Sequence, residues 1–470
     1  MEISDICIDK TLNEPIYQQL YAQLRDAILT GQLIRAEKLP SIRTLASELG
    51  VARNTVENAY NQLQVEGYVA SRQGSGYIVQ PIAQDALLTA LCDATATTLG
   101  SRPQDAEFAY DFRYGSLAAG SFPAEEWRKL MGEVLSAGGA ALSAYTDERG
   151  QLGLRQQIAA YLAKERGIHT DPDQIVITSG TQQSVIILLH LFNPHTDKVA
   201  MENPGYPGAR AIFQYSGFSI EPVRSDCDAQ TYLEDVESSG ATLVYTTPAH
   251  QFPVGTCMDM NTRLHLLAYA ASNDAYIVED NYDSEFRYNS QPVPSLRSID
   301  TGGRVIYLGT FSKALSPALR MSYMVLPPQL MRRYNEQLGG YRVTVPVLEQ
   351  ETMRLYMERG LWKRHLHRAL IANRKLHELL LETIEATFDE GQVEVLAGDA
   401  GLFIMLKVKN GMTQTQLIDS AAKAGVGLNP NTMYWLDANS APQSLVLVGF
   451  TAATPEAIQK GIPACKEAWF

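Results

Sequence analysis

The stretch GTFSKALSPALR, residues 309–320, ends a short apolar run, RVIYLG (304–309), that reads as a buried strand. It places Lys313 after Thr310 and Ser312 and seven positions before Arg320. An ammonium at the mouth of a sheet is costly to desolvate unless something uses it. The stretch therefore asks for a ligand, and the ends of the neighbouring strands indicate which kind.

Upstream, the runs QIVIT (174–178), DKVAME (197–202), TLVYTT (242–247) and AYIVED (275–280) alternate with helical stretches. Near-continuous apolar strands separated by helices predict an α/β unit with a parallel sheet covered on both faces. Functional groups in such sheets gather beyond the carboxyl ends of the strands. After the first run come Ser179, Gly180 and Thr181 at the start of a helix, where free N–H groups and hydroxyls make a phosphate cradle. After the second comes ENPGYPGAR (202–210), whose prolines and glycines fix a loop around Tyr206, an aromatic placed to stack on a flat ring. The run AYIVED ends on Asp280, and Tyr282 follows two positions on, on the same side of an extended chain.

Added to Thr310, Ser312, Lys313 and Arg320, these residues describe one ligand. It has a phosphate, an aromatic ring, a protonated ring nitrogen opposite Asp280, a phenolate oxygen near Tyr282 and an aldehyde that condenses with Lys313. Pyridoxal 5′-phosphate, held as a Schiff base, has all five.

The first eighty residues follow a different plan. PIYQQLYAQLRDAILTGQL (15–33) puts Ile16, Leu20, Leu24, Ile28 and Leu29 on one helical face. SIRTLASELG (41–50) opens on the N-cap Ser41 and stops at Gly50, and RNTVENAYNQLQVEG (53–67) is a further amphipathic helix. YVASRQGSGYIV (68–79) reads as two short strands around a Gly-Ser-Gly turn. Helix, helix, tight turn, helix and hairpin make a winged helix-turn-helix, which sets a helix in the DNA major groove.

The chain has 470 residues, too long for one ordinary core. Its 45% hydrophobic and 19% charged content is that of a globular protein. No apolar run has the length of a membrane helix, and MEISDICIDK lacks the apolar core of a signal peptide, so a cytoplasmic protein without membrane attachment is expected. Five scattered cysteines without a C-x-x-C pair speak against a metal site and fit a reducing compartment. The net charge of −13 does not favour nucleic acid, but residues 35–80 carry a local balance of +1, which allows it. PIAQDALLTALCDATATTLGSRPQDAE (81–107) reads as a linker. The expected organisation is a DNA-binding domain over 1–80, the linker, and an effector domain over 108–470 with a smaller α+β lobe from about 345.

Residues 1–80 resemble the GntR-type DNA-binding domain through LPSIRTLASELGVARNTVENAYNQLQVEGYV and the glycine-tipped wing. By that resemblance Arg43, Arg53, Asn54 and Thr55 meet DNA, and Gly74 lets the wing approach a phosphate; Glu57 stands where some relatives carry a basic residue. Residues 108–470 resemble the fold-type I aminotransferases through ENPGYPGAR, PAHQFPVG, VEDNYDSEFRY and GTFSKALSPALR. The fusion is similar to the MocR/GabR family of transcriptional regulators. The resemblance implies that Lys313 forms the internal aldimine, Asp280 pairs with the ring nitrogen, Tyr282 bonds the ring hydroxyl and Tyr206 stacks. It also implies that Ser179, Gly180, Thr181, Thr310, Ser312 and Arg320 serve the phosphate, and that Tyr145 reaches the phosphate of a partner subunit in a homodimer.

Two departures bear on activity. Aminotransferases usually carry Asn-Pro-x-Gly, whereas HQFPVG has Phe252 at the Asn position. They often clamp a substrate carboxylate with arginine, and the matching position, Leu447 in SLVLVGF, is apolar. The expectation is therefore a regulator that senses an amine, an amino acid or pyridoxal 5′-phosphate itself and changes its binding to double-stranded DNA, with at most slow or partial transamination. The alternative is a working aminotransferase with an ancillary DNA-binding domain. A third reading, a regulator that has lost the cofactor, is opposed by the intact Lys313–Asp280–Tyr206 set.

Overall fold

Pro15 precedes helix α1 (Ile16–Leu29), whose apolar face buries Leu20, Leu24, Ala27 and Ile28. Helix α2 (Ile42–Leu49) starts where Ser41 Oγ accepts the Thr44 N–H at 3.1 Å, and it stops at Gly50, whose φ of +62° suits glycine. Helix α3 (Arg53–Val65) buries Val56, Ala59, Tyr60 and Leu63, and the Tyr60 hydroxyl donates to the Pro40 carbonyl at 3.0 Å. Strands β1 (Val69–Arg72) and β2 (Gly76–Val79) pair antiparallel, with Val69 opposite Val79. These elements close on one core that includes Leu20, Leu45, Tyr60 and Val79, so the amino-terminal unit is a winged helix-turn-helix.

This computed structural model describes residues 6–9, 14–72, 76–81, 108–137, 142–145, 147–288, 293–396 and 398–470. The chain divides into two compact units, Met1–Asp105 and Ala106–Phe470. The expected wing glycine, Gly74, and all but the first residue of the expected linker lie outside the described residues.

In the second unit, β3 (Tyr110–Asp111) is followed by β4 (Ile175–Thr178), β5 (Lys198–Asn203), β6 (Ser219–Arg224), β7 (Leu243–Thr246), β8 (Tyr276–Asn281), β9 (Val305–Thr310) and β10 (Ser322–Val325). The last seven form one sheet in the order β4-β10-β9-β8-β7-β5-β6. Successive residues supply opposite faces. Tyr245, Val278 and Ile306 pack with the helices Thr181–Leu189 and Pro207–Tyr215, while Val244, Ile277 and Val305 pack with Ala229–Ser239 and Met260–Ser272.

The sheet corrects one expectation: it is mixed, because β10 runs antiparallel to both β9 and β4. The chain between Thr310 and Ser322 contains no crossover helix, only a loop and one 3-10 turn, and a connection that short returns antiparallel. The carboxyl ends of β4, β5, β7, β8 and β9 nevertheless share one edge, and the loops after them meet there.

The smaller lobe is built on β11 (Val393–Leu396), β12 (Phe403–Val408) and β14 (Leu445–Gly449), an antiparallel sheet packed on the helices Leu361–Thr387 and Pro455–Trp469. Strand β13 (Val426–Gly427) pairs in parallel with β3, so the segment that opens this unit is stitched to the smaller lobe. Sequence reading began that lobe at about 345; two-residue strands carry too little periodicity to reveal the earlier piece. No helix of the described residues is long and apolar enough to cross a membrane.

Candidate cofactor site

Of the residues expected at the cofactor site, Thr181, Tyr206, Asp280, Tyr282, Thr310, Ser312, Lys313 and Arg320 line one cleft at that sheet edge, with a cavity volume of about 190 Å3. They come from four different strand ends and from distant parts of the sequence.

Lys313 Nζ lies 3.9 Å from the ring centroid of Tyr114, a cation–π contact inside the cleft. Burial lowers its amine from 10.5 to about 8, against the opposing pull of Asp283 and Asp280. A buried amine so poised is a nucleophile near neutral pH. Asp280 lies on the buried end of β8, and burial raises its carboxyl from 3.8 to about 7, with Asp283 and Glu202 adding to the rise. Opposing that rise, the Tyr245 hydroxyl donates to Asp280 Oδ2, and Lys313 favours the charged form. A cationic partner would restore the Asp280 carboxylate at neutral pH.

The phosphate end is a helix terminus. The helix Thr181–Leu189 begins after Gly180, which has a φ of +101° and no capping side chain, so the first N–H groups stay available. A Cβ at Gly180 would lie 2.3 Å from Arg320 Nη2. That guanidinium also donates to the Ser179 carbonyl at 3.3 Å, which draws it to the helix start. Thr310 Oγ1 accepts from Ser312 N at 3.1 Å and from Ser322 Oγ at 2.7 Å, which pins the loop that carries Lys313.

Two buried oxygens on the lining, Ser312 Oγ and Tyr114 OH, have no hydrogen-bond partner among the described residues. Buried polar atoms are normally paired, so these are fitted to something that occupies the cleft. Helix N–H groups with Arg320 suit a phosphate, Tyr206 a flat ring, Asp280 a basic ring nitrogen and Lys313 an aldehyde. The donor set fits pyridoxal 5′-phosphate.

Ser179 and Gly180 stand just behind the lining. Tyr145 lies elsewhere: it is 86% exposed, with the Arg342 guanidinium 4.7 Å from its ring centroid. In the amino-terminal unit Arg43, Arg53 and Asn54 are exposed and Thr55 is half-buried, on α2 and at the start of α3.

Sequence reading missed Tyr114, Tyr245, Thr247 and the pair His250–Asp283. Tyr245 sits inside a fully buried strand, where a tyrosine reads as core; its hydroxyl could be found only through its partner, Asp280. The noted departures take physical form. Leu447, at the position expected for a carboxylate clamp, is fully buried in an apolar cluster with Phe252, Phe403, Tyr434 and Trp435. Arg210 does not replace it: its guanidinium donates to the Tyr434 and Met433 carbonyls at 2.8 and 2.6 Å.

Comparison with known proteins agrees with this geometry. Residues 16–79 match the family of bacterial regulatory proteins of the gntR type, and residues 109–440 match aminotransferase class I and II. The HTH-type transcriptional regulator YdeL of Bacillus subtilis (strain 168) is 36% identical, with 98% of each chain covered. The probable rhizopine catabolism regulatory protein MocR of Rhizobium meliloti is 32% identical, over 99% of this chain and 96% of its own. Among solved structures, the kynurenine aminotransferase of Pyrococcus horikoshii superposes with a TM-score of 0.68 at 26% identity, covering 83% of this chain and 94% of that one. With a GntR-type winged helix-turn-helix and an aminotransferase class I and II domain in one polypeptide, and relatives alike over nearly its whole length, the chain belongs to the MocR/GabR family of HTH-type transcriptional regulators.

Proposed function

We propose that this chain is a transcriptional regulator that holds pyridoxal 5′-phosphate in the cleft around Lys313 and changes its hold on operator DNA when a small ligand reacts there. One observation carries the reading: the buried amine of Lys313, lowered to about 8, shares a cleft with Asp280 and the helix N-terminus at Gly180. When bound, the cofactor supplies an aldehyde that exchanges between the lysine amine and an incoming amine, and an electron-poor ring. Lys313 would provide the amine, and Asp280 would hold charge opposite the ring nitrogen. Thr181 N–H, Ser312 Oγ and Arg320 would hold the phosphate, Tyr206 would stack on the ring and Tyr282 would bond its hydroxyl oxygen.

The wall at Leu447 weighs toward regulation. A bidentate arginine there would hold an ordinary α-carboxylate, and its absence removes the strongest anchor for turnover. Effectors that fit this chemistry are amines, amino acids or the cofactor itself. A ligand alters DNA binding only by favouring one of two arrangements, and release of the Lys313 amine supplies such a difference. Arg43, Arg53, Asn54 and Thr55 form the DNA-facing set, Arg53 at the first turn of α3. Tyr145, exposed in the single chain, is free to serve the phosphate of a partner in a homodimer.

The test is a spectral titration of the purified chain with pyridoxal 5′-phosphate and then with amines and amino acids, read beside DNA-binding anisotropy. A band near visible wavelengths that needs Lys313, and an amine that shifts both band and DNA affinity, support the reading. Fast multiple-turnover transamination without any change in DNA binding overturns it in favour of an aminotransferase.

A further inference from the structure

Phe252 leaves the cofactor side of the cleft without the amide that Asn supplies in the related enzymes, yet the same loop buries a second polar group next to Tyr282. His250 is 3% exposed and Asp283 1% exposed. His250 Nδ1 lies 2.7 Å from Asp283 Oδ2 and 3.0 Å from the Tyr282 hydroxyl. The imidazole is clamped from the smaller lobe: Gly401 has a φ of +84°, and a Cβ there would lie 2.0 Å from His250 Cε1. Phe403 of β12 packs tilted against the ring, with centroids 5.1 Å apart. His250 Nε2 is buried with no partner among the described residues. Nothing in the cofactor chemistry above uses this histidine.

We propose that His250 is a positioning residue that aims the Tyr282 hydroxyl into the cleft, in place of the donor lost at Phe252. The argument is one of proton inventory. One ring nitrogen of a neutral imidazole donates and the other accepts. Facing the Asp283 carboxylate at 2.7 Å, Nδ1 must carry the proton. A protonated Nδ1 has no lone pair for the Tyr282 hydroxyl, so that oxygen can only accept from the histidine. Its own hydrogen is then left for the cleft, toward the ring oxygen of the cofactor. Burial, with Asp283 next, holds the tyrosine proton well above its ordinary range, so Tyr282 stays a donor. Among the described residues, the charged and titratable groups around this trio include Asp280, Glu202, Tyr114, Tyr288 and Lys313. Because Gly401 and Phe403 hold the imidazole, the aim of Tyr282 also depends on the smaller lobe staying in place.

This inference rests on the cofactor reading above, and the experiment separates the two. The full chain is loaded with pyridoxal 5′-phosphate and its visible band is titrated with pH. A hydroxyl that donates to the ring oxygen draws charge from it, and the linked nitrogen then holds its proton less tightly. Tyr282→Phe should therefore raise the midpoint. His250→Phe should raise it by about half a unit to one unit when Tyr282 is present, and by nothing when Tyr282 is already phenylalanine. His250→Asn, which keeps an N–H where Nδ1 stands, should retain the parent midpoint and shows that the fold tolerates change there. Equal shifts in both backgrounds, no shift, or failure of His250→Asn to rescue would overturn the role of His250. A parent chain that forms no band with the cofactor would instead overturn the cofactor reading.

Discussion

Replacing Lys313 by methionine keeps the length of the side chain in the cleft and removes its amine. In the cofactor-free chain that amine is held at about 8 against 10.5 in the open, and burial is the main cause. A difference of this size corresponds to about 3 kcal/mol of stability lost to keeping a proton on a buried nitrogen. The sign follows from where protons are bound. Between about pH 8 and pH 10.5 the unfolded chain holds the proton more than the folded one, so stability rises with pH through that window. Below it the whole cost is present. Lys313→Met should therefore stabilise the cofactor-free second unit at pH 7 by roughly 2–3 kcal/mol, a figure in which the favourable pull of Asp283 and Asp280 on the ammonium is already included.

Scanning calorimetry at pH 7 and pH 10 reads this directly, as a higher transition temperature in the variant, by roughly 3 °C, at the lower pH. The gap should shrink at pH 10. Saturating pyridoxal 5′-phosphate should close it too, because a ligand at a hundred times its Kd adds about 2.7 kcal/mol to the form that binds it, and the parent binds better. A variant less stable than its parent at pH 7, or one stabilised equally at both pH values, would refute the reasoning. Such a result would mean that the lysine is held as a satisfied structural cation.

Three further perturbations probe the other parts of the argument. Arg53→Ala removes an exposed guanidinium at the first turn of α3 and should weaken operator binding by about 1–3 kcal/mol, read by anisotropy at fixed salt; unchanged affinity would remove α3 from the DNA interface. Asp280→Asn deletes the carboxylate proposed to face the ring nitrogen, and cofactor affinity should fall about ten- to a hundredfold by spectral titration, a charged hydrogen bond being worth ~1.5–3 kcal/mol. Gly180→Ala puts a Cβ 2.3 Å from Arg320 Nη2 at a φ of +101°. The backbone strain alone should cost about 1–3 kcal/mol by thermal melting, and the displaced guanidinium should weaken inorganic phosphate as a competitor of the cofactor. Parent-like melting and competition would mean that the phosphate lies elsewhere.

Much of this site was legible because its residues are local to strand ends. Lys313, Asp280 and Thr181 each follow a four- to six-residue buried run, and the parallel part of the sheet brings those ends to one edge. The winged helix was legible for a similar reason: Ser41, Gly50 and the stripe on α3 are local signals. What sequence did not reveal depends on contacts distant along the chain. Tyr114 reaches Lys313 because β3 pairs with β13 and its own backbone N–H donates to Asn429 Oδ1 at 2.6 Å. His250 finds Asp283 across a loop, and Gly401 closes on it from the smaller lobe. Strand β10 escaped notice because SYMV is short and its direction is set by the connection before it.

The two departures from aminotransferases belong to one surface. Phe252 and Leu447 share an apolar cluster with Phe403, Tyr434 and Trp435, and that cluster joins the cofactor side of the cleft to the smaller lobe. In aminotransferases that surface often carries polar groups: an amide that tunes the ring oxygen and a guanidinium that anchors the substrate carboxylate. Here the surface is packed apolar side chains, and the buried pair His250–Asp283 beside it is gripped by Gly401 and Phe403 of that lobe. On the proposed reading, a ligand that tilts the ring would push on Phe252 and Tyr282, and Phe252 packs edge-on against Phe403. Packed apolar contacts do not yield continuously, so the lobe either holds or shifts to a second packing. In the proposed regulator, the missing clamp would cost turnover, while the packing would link the state of the ring to the position of the lobe, which is what a regulator with an intact Lys313 requires.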